Sequence, residues 1–380
     1  MAEPFDLVSD MPESAMPDCE YSLVCEAVDP ELFPARELRH SVQSSMGKNW
    51  VRNIAAIDEI QSEPVLVDQI SNRILPKRGL VASAEEVLIV GSAQAALSLL
   101  VLLLDPAERR FAVEDPGPPE ARHVLRGFGA TVVPCPVDGN GLVVDSIDAD
   151  VAVVSPSHQV PTGVPMALAR RQSLLNWADE NSGFVIEYET GFERNLEGQL
   201  DVSLKALDRS NRVALVGCLS RTLGPGLSLG YIVASKEIVK RAASLSRRLF
   251  GDQPGLHQRL LGHFLKLGYY EKYLDDVADV YRTRWNVMDA AISRHFPDWS
   301  PYSGFGATSF WLVDDTGTID EGFATAARGE GVAVEPGSLF FTDGARGRNA
   351  FRIGFAAIQS KRIDDAVARL ASVAKAALSR

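Results

Sequence analysis

The sequence predicts an α/β protein: a large domain on a mostly parallel, doubly wound sheet, joined to a smaller α+β domain. Three observations predict it. Apolar runs of strand length alternate with helical stretches between Val87 and Gly217. Those runs are near-continuously apolar, as in strands covered on both faces. From about Ile238 long helical stretches take over, and a mixed tail then closes the chain. Strand–helix alternation is the pattern of a doubly wound sheet.

The elements follow in order. The first 50 or so residues are expected to be irregular, because Pro12, Pro17, Pro30 and Pro34 interrupt them. A helical stretch is expected near Ser62 to Leu75. Val87 to Val90 is a short β-branched strand ending in Gly91-Ser92-Ala93-Gln94, and Ala95 to Leu104 reads as a buried helix. Further strands are expected at Arg110–Val113, Thr131–Pro134, Val151–Ser155, Phe184–Glu187 and Val213–Gly217. Helices are expected at Pro119–Phe128, Ala167–Glu180 and Ser203–Ala206. Long helical stretches cover Lys236–Phe250 and Pro254–Arg294. The tail comprises Ser309–Val313, Ile319–Arg328, Val332–Val334, Phe351–Phe355 and a closing helix to Ala377. The expected division is 1–60 as an N-terminal arm with part of the small domain, 61–265 as the large domain, and 266–380 as the small domain.

Composition bounds the function. The 380 residues are 46% hydrophobic and 23% charged, enough for a sizeable core. The net charge is -12, which argues against non-specific nucleic-acid binding. The four cysteines, Cys19, Cys25, Cys135 and Cys218, are scattered and give neither a disulfide framework nor a zinc pattern. Met1 to Pro17 is acidic, without the basic and apolar regions of a secretory signal. The most apolar run, Ala95 to Leu104, is too short to span a bilayer. A cytoplasmic location with no membrane partner is expected.

Ligands of open α/β sheets bind beyond the carboxyl ends of strands, and five segments fall at such places or carry unusual charge. Gly91-Ser92-Ala93-Gln94 opens a helix, where backbone N–H groups suit a phosphate; a plain helix cap is the alternative. Ser155 to Gly163 contains His158 and Gln159, able to hydrogen-bond a ring or an acid, although the segment alone reads as a polar turn. Glu187-Tyr188-Glu189 offers carboxylates for a ring nitrogen or proton transfer, or a solvated strand end. Ser220-Arg221-Thr222-Leu223-Gly224-Pro225-Gly226 is a tight loop. Arg352 lies inside an apolar strand and needs an anionic partner, either a structural carboxylate or a substrate carboxylate.

Together, in this order and spacing, these segments resemble the fold-type I, class I/II pyridoxal-phosphate (PLP) aminotransferases. They are closest to the aminotransferase-like part of MocR-type regulators. Arg78-Gly79, Glu114-Asp115-Pro116-Gly117, Arg170-Arg171, Gly304-Phe305-Gly306 and Pro336-Gly337-Ser338 complete the match, which runs from about Leu32 to the C-terminus. The resemblance implies a phosphate cradle at Ser92, Ala93 and Gln94, with Ser220 beside it. It implies a ring-side segment at Ser157-His158-Gln159 and an arginine for the substrate α-carboxylate at Arg352. It also implies a homodimer. No counterpart of the MocR winged helix is seen, so no nucleic-acid partner is expected.

The departures from the family pattern gather on the cofactor. Where the family reads Ser-Lys-x-x-x-Pro-Gly-x-Arg, this chain reads Ser220-Arg221-Thr222-Leu223-Gly224-Pro225-Gly226-Leu227-Ser228. A Schiff base needs a neutral amine, and an arginine stays protonated. Ser228 stands where an arginine grips the phosphate, and Pro118 where an aromatic stacks on the ring. Glu187-Tyr188-Glu189 replaces Asp-Asp-Tyr, with Glu187 the carboxylate expected to serve the ring nitrogen.

The expected function is a biosynthetic enzyme on this fold, acting on an amino or keto acid without Schiff-base transamination. Arg221, His158 and Glu187 are its expected catalytic residues; Arg352, Gln159 and Tyr188 bind the substrate. The alternatives are a ligand-binding regulatory pseudo-aminotransferase and an aminotransferase holding its cofactor non-covalently. Covalent PLP is not expected, non-covalent PLP or its amine form (PMP) stays open, and no metal is expected.

Overall fold

The computed structural model describes residues 19–24, 28–46, 62–190, 202–227, 229–251, 255–302, 308–315, 319 and 322–378. Its strands are β1 (Tyr21–Ser22), β2 (Val87–Val90), β3 (Arg110–Asp115), β4 (Thr131–Asp138), β5 (Gly141–Leu142), β6 (Val151–Val154) and β7 (Phe184–Thr190). After these come β8 (Val213–Cys218), β9 (Gly230–Val233), β10 (Ser300–Tyr302), β11 (Ser309–Val313), β12 (Val332–Ala333), β13 (Glu335–Pro336) and β14 (Ala350–Gly354). The helices are α1 (Ala35–Ser45), α2 (Pro64–Gln69), α3 (Ala93–Leu103), α4 (Pro119–Gly127), α5 (Leu168–Glu180) and α6 (Leu204–Leu207). They continue as α7 (Ser220–Leu223), α8 (Lys236–Phe250), α9 (Gly255–Lys266), α10 (Tyr269–His295), α11 (Phe323–Gly329) and α12 (Ser360–Leu378).

The chain divides into two compact units. One comprises Val28–Arg282 and Ser303–Ala307; the other comprises Met1–Ala27, Thr283–Tyr302 and Thr308–Arg380. These divisions, after Ala27 and after Arg282, differ from the expected joints at 60 and 265. Among the described residues before 60, α1 belongs to the larger unit.

The larger unit holds an eight-stranded sheet in the order β2-β9-β8-β7-β6-β3-β4-β5. Pairs β8–β7, β7–β6, β6–β3 and β3–β4 are parallel, while β9 runs antiparallel to both β8 and β2. The carboxyl ends of β2, β8, β7, β6 and β3 therefore share one sheet edge with the start of β9. Both faces are covered. One buries Phe111, Val113, Val153, Ile186, Tyr188, Ala214 and Val216 against α3, α4 and α8. The other buries Ala112, Ala152, Val154, Val185 and Val213 against α5 and α6. Within α3, Leu97, Leu99 and Leu100 are almost wholly buried, and each contributes roughly 1.5–3 kcal/mol.

The smaller unit has a four-stranded antiparallel sheet, β10-β11-β14-β13, and a parallel pair β1–β12. Its core includes Phe296, Phe310, Phe351, Ile363 and Val367.

Three local expectations are corrected. The expected irregular start contains α1, which begins immediately after Pro34, so the prolines lie ahead of the helix rather than inside it. Pro254–Arg294 is not one helix: α9 stops at Lys266, and Gly268 takes a left-handed φ of 74° before α10. In the Ile319–Arg328 stretch, the helix starts only at Phe323. Strand β9, which is not among the expected elements, pairs β8 with β2.

Candidate functional site

The shared sheet edge collects most of the expected site residues of the larger unit. Ser92 caps α3: its Oγ accepts from the Ala95 backbone N–H at 3.0 Å, satisfying one of the helix's orphan donors. Ala93 is buried and Gln94 exposed beside it. Gly230 lies directly under this turn. A Cβ there would come within 2.4 Å of the Ser92 carbonyl oxygen, so the close approach requires glycine. Ser220 and Arg221 open α7 just beyond β8; their side chains, and all of Ser228, lie outside the described residues.

Alternation along β7 decides what each of its side chains faces. Successive strand residues point to opposite faces. Tyr188 is 2% exposed and packs with the α3 side of the sheet. Glu187 points to the α5–α6 side, where its carboxylate accepts from the backbone N–H of Leu204 (3.0 Å) and Lys205 (2.9 Å). Glu187 is thus set apart from the Ser92 turn by the sheet itself. This corrects its expected place beside a ring nitrogen: the residue on the α3 face is Tyr188, a phenol buried in the core.

Glu187 belongs to a buried polar network. Arg78 Nη2 donates to Ser157 Oγ (2.8 Å) and reaches Glu187 and Glu189, both at 3.3 Å. Glu189 accepts from the Ser157 backbone N–H at 2.9 Å. Burial pushes the Glu187 carboxyl above the usual carboxylate range; Arg78 opposes this and Glu189 adds to it. Burial pulls Arg78 down, but Glu189 and Glu187 more than offset it and hold the guanidinium above its ordinary value.

Glu114 lies on the same side of the sheet. Its carboxylate accepts from the Ser155 N–H (3.2 Å) and Gln159 Nε2 (3.5 Å), and burial lifts its pKa to about 8. Gln159 is 1% exposed and committed to its own turn. Nε2 donates to the Pro116 and Val160 carbonyls, each at 2.7 Å, and Oε1 accepts from Thr162 Oγ1 at 2.6 Å. Gln159 therefore shapes the loop rather than offering its amide to a substrate, a second correction. Arg171 pins the same loop through the Met166 and Pro156 carbonyls. His158, between these anchored neighbours, is half-buried.

Arg352 belongs to the other unit, in β14. It is opposite Glu335 in the β13–β14 ladder. Its Nε and Nη2 donate to the two carboxylate oxygens of Glu335 at 2.9 and 2.8 Å, a bidentate pair. Its Cζ lies 4.7 Å from the Phe340 ring centroid. Of the two partners left open for Arg352, the structural carboxylate is present, and it is Glu335.

Sequence reasoning gave no individual role to Arg78, Glu114 or Glu335. Arg78 had a signal: Glu187 and Glu189 are two apart in a strand, so they share a face and need a common cation. Glu335, in a two-residue strand, had none. Among the described residues, no cluster of three or more His, Cys, Asp or Glu side chains suits a metal, and no helix is long and apolar enough to cross a membrane.

The fold has known relatives. Residues 53–370 match the model of aminotransferase class I and II. The chain is 35% identical to the HTH-type transcriptional regulator TauR of Rhodobacter capsulatus, over 92% of this chain and 73% of TauR. It is 28% identical to the probable rhizopine catabolism regulatory protein MocR of Rhizobium meliloti, over 89% of this chain and 67% of that one. The crystal structure of an archaeal alanine:glyoxylate aminotransferase superposes with a TM-score of 0.84 at 27% identity, covering 94% of this chain and 91% of the other. The fold is that of fold-type I aminotransferases, a family whose members bind PLP or PMP, and the chain belongs to the class I and II aminotransferases.

Proposed function

We propose that this protein is a ligand-binding, regulatory pseudo-aminotransferase: it binds a small amino-acid-like or keto-acid-like molecule at the carboxyl edge of its large sheet and does not transaminate it. The observation that carries the reading is the split of charge across β7. The carboxylates Glu187 and Glu189 are committed to the scaffold side of the sheet, while the side bearing the α3 turn presents Tyr188.

PLP needs an anion cradle, a carboxylate for its ring nitrogen and, for covalent attachment, an amine. The N-terminus of α3 offers the first. The described residues on the α3 face of β7 do not offer the second, and the residue after Ser220 is Arg221, whose guanidinium does not offer the third. The donor set does not fit a covalently attached cofactor. A regulatory role is supported by the likeness to TauR and MocR, both named as regulators, and a homodimer belongs to the same reading.

A catalytic second reading has one observation in its favour. His158 is half-buried in a turn whose neighbours Ser157 and Gln159 are buried, so its imidazole is the accessible acid–base group there.

The test is spectroscopic. Mixed with PLP, the purified protein is expected to show no visible absorbance that borohydride traps on a lysine, and to form no keto acid from amino acids. A trapped lysine adduct or turnover overturns the proposal. Turnover without an adduct, abolished by His158→Ala, supports the second reading.

A further inference from the structure

We infer that the groove beside α5 and α6, at the amino end of β8, is a second small-molecule site and that it takes acidic amino acids. The inference is independent of the reading of the carboxyl edge. Arg212 directly precedes β8, whereas the candidate site lies past Cys218 at the strand's other end, a separation of roughly 20 Å along the strand.

The groove has a volume of about 340 Å³, at the small end of the range for ligand pockets. Gln172, Leu175 and Asp179 line it from one stripe of α5, at the spacing that puts helical residues on one face. Ala206 and Leu207 of α6, and Arg209 and Arg212 in the turn that leads to β8, complete the lining with Asp208. Asp208 is committed to that turn. Its carboxylate accepts from the backbone N–H of Ser210 (3.0 Å), Arg212 (3.1 Å) and Val213 (3.1 Å), and from Lys205 Nζ at 2.9 Å. The turn is thereby fixed. Arg212 Nη1 donates to the Ser182 carbonyl at 3.2 Å, which steadies the guanidinium and leaves it further donors. Arg209 and Asp179 are exposed, and among the described residues neither side chain has an ion-pair partner. With Asp208 offset by Lys205, two guanidiniums stand against one carboxylate, a local positive surplus in a chain of net charge -12. An acidic amino acid carries the inverse set: two carboxylates and one ammonium. Its carboxylates match the planar guanidiniums, its ammonium matches Asp179, and its methylenes match Leu175, Ala206 and Leu207. A neutral amino acid leaves one arginine unmatched. A plain dicarboxylate has nothing to offer Asp179 but a like charge.

The experiment compares three matched probes by calorimetry. L-Glutamate, L-glutamine (one carboxylate fewer) and glutarate (no ammonium) are titrated into wild type, Arg209→Glu and Asp179→Asn. Both positions are exposed, so both variants are expected to fold as wild type does. Wild type is expected to bind L-glutamate at least threefold more tightly than either other probe. Arg209→Glu is expected to weaken L-glutamate at least tenfold. Asp179→Asn is expected to weaken L-glutamate and strengthen glutarate, so that the preference between them disappears. No binding of L-glutamate to wild type at millimolar concentration overturns the inference. So does binding that Arg209→Glu leaves unchanged, which would place the ligand elsewhere, or a preference over glutarate that survives Asp179→Asn. Each of these outcomes leaves the borohydride result of the proposed function untouched, so the two fail separately.

Discussion

The two faces of the large sheet treat charge in opposite ways at the same edge. On the α5–α6 face, Glu114, Glu187, Glu189 and Arg78 are all buried and knit to backbone N–H groups and one another. On the α3 face, β7 contributes Tyr188 and the helix contributes the capped Ser92 turn. One residue of register along β7 separates the two. The difference teaches that acidic residues at a strand end are not by themselves a catalytic signature. Here they are scaffold, holding the Ser157 loop and the start of α6 in place, and the face toward the α3 turn is uncharged in β7.

The largest expected effect comes from breaking the charged face. Arg78→Ala leaves two buried carboxylates without their shared cation, and removing one partner of a buried pair costs about 3–5 kcal/mol. Chemical denaturation of the variant should show that loss, and a loss below about 1 kcal/mol would mean the network is solvated rather than structural.

Gly230→Ala tests the shape of the opposite face. The added Cβ meets backbone at Ser92, which cannot rotate away, so overpacking of about 1–3 kcal/mol is expected from the same measurement.

Glu114→Gln sharpens the comparison through pH. The Glu114 carboxyl is held near 8 in the fold, against an ordinary value of 4.5, because it is buried. The folded state therefore binds this proton more tightly than the unfolded chain. Its stabilising contribution is complete below about 4.5 and is lost as pH rises through about 8. The melting temperature of Glu114→Gln should fall less than that of wild type between these values, with the difference greatest above pH 8.

The smallest effect is expected at Tyr188→Phe. Removing one hydroxyl from the uncharged face should change stability by no more than about 1 kcal/mol. A loss as large as that of Arg78→Ala would erase the distinction between the faces.

Much of this was legible beforehand. Apolar run length placed β2, β3, β6, β7 and β8, since strands buried on both sides read as near-continuous apolar runs. The side each β7 residue takes was not settled, because Glu187-Tyr188-Glu189 alternates charge and phenol without showing which face is the ligand's; that needs α3 in place. Strand β9 was hidden because Gly230 follows a glycine-rich loop without a break in composition. Arg352 announced its need for an anion, but Glu335 could not be assigned to it. Their pairing joins residues 17 apart through a strand of two residues, too short to leave a periodic trace.

Position 221 is proposed not to anchor PLP, because an arginine stays protonated and forms no Schiff base. The direct measurement is peptide mapping by mass spectrometry after incubation with PLP and borohydride reduction, on wild type and Arg221→Lys. The expected result is no stoichiometric pyridoxyl adduct on any lysine of wild type and one at position 221 of the variant. A stoichiometric adduct on wild type would contradict it.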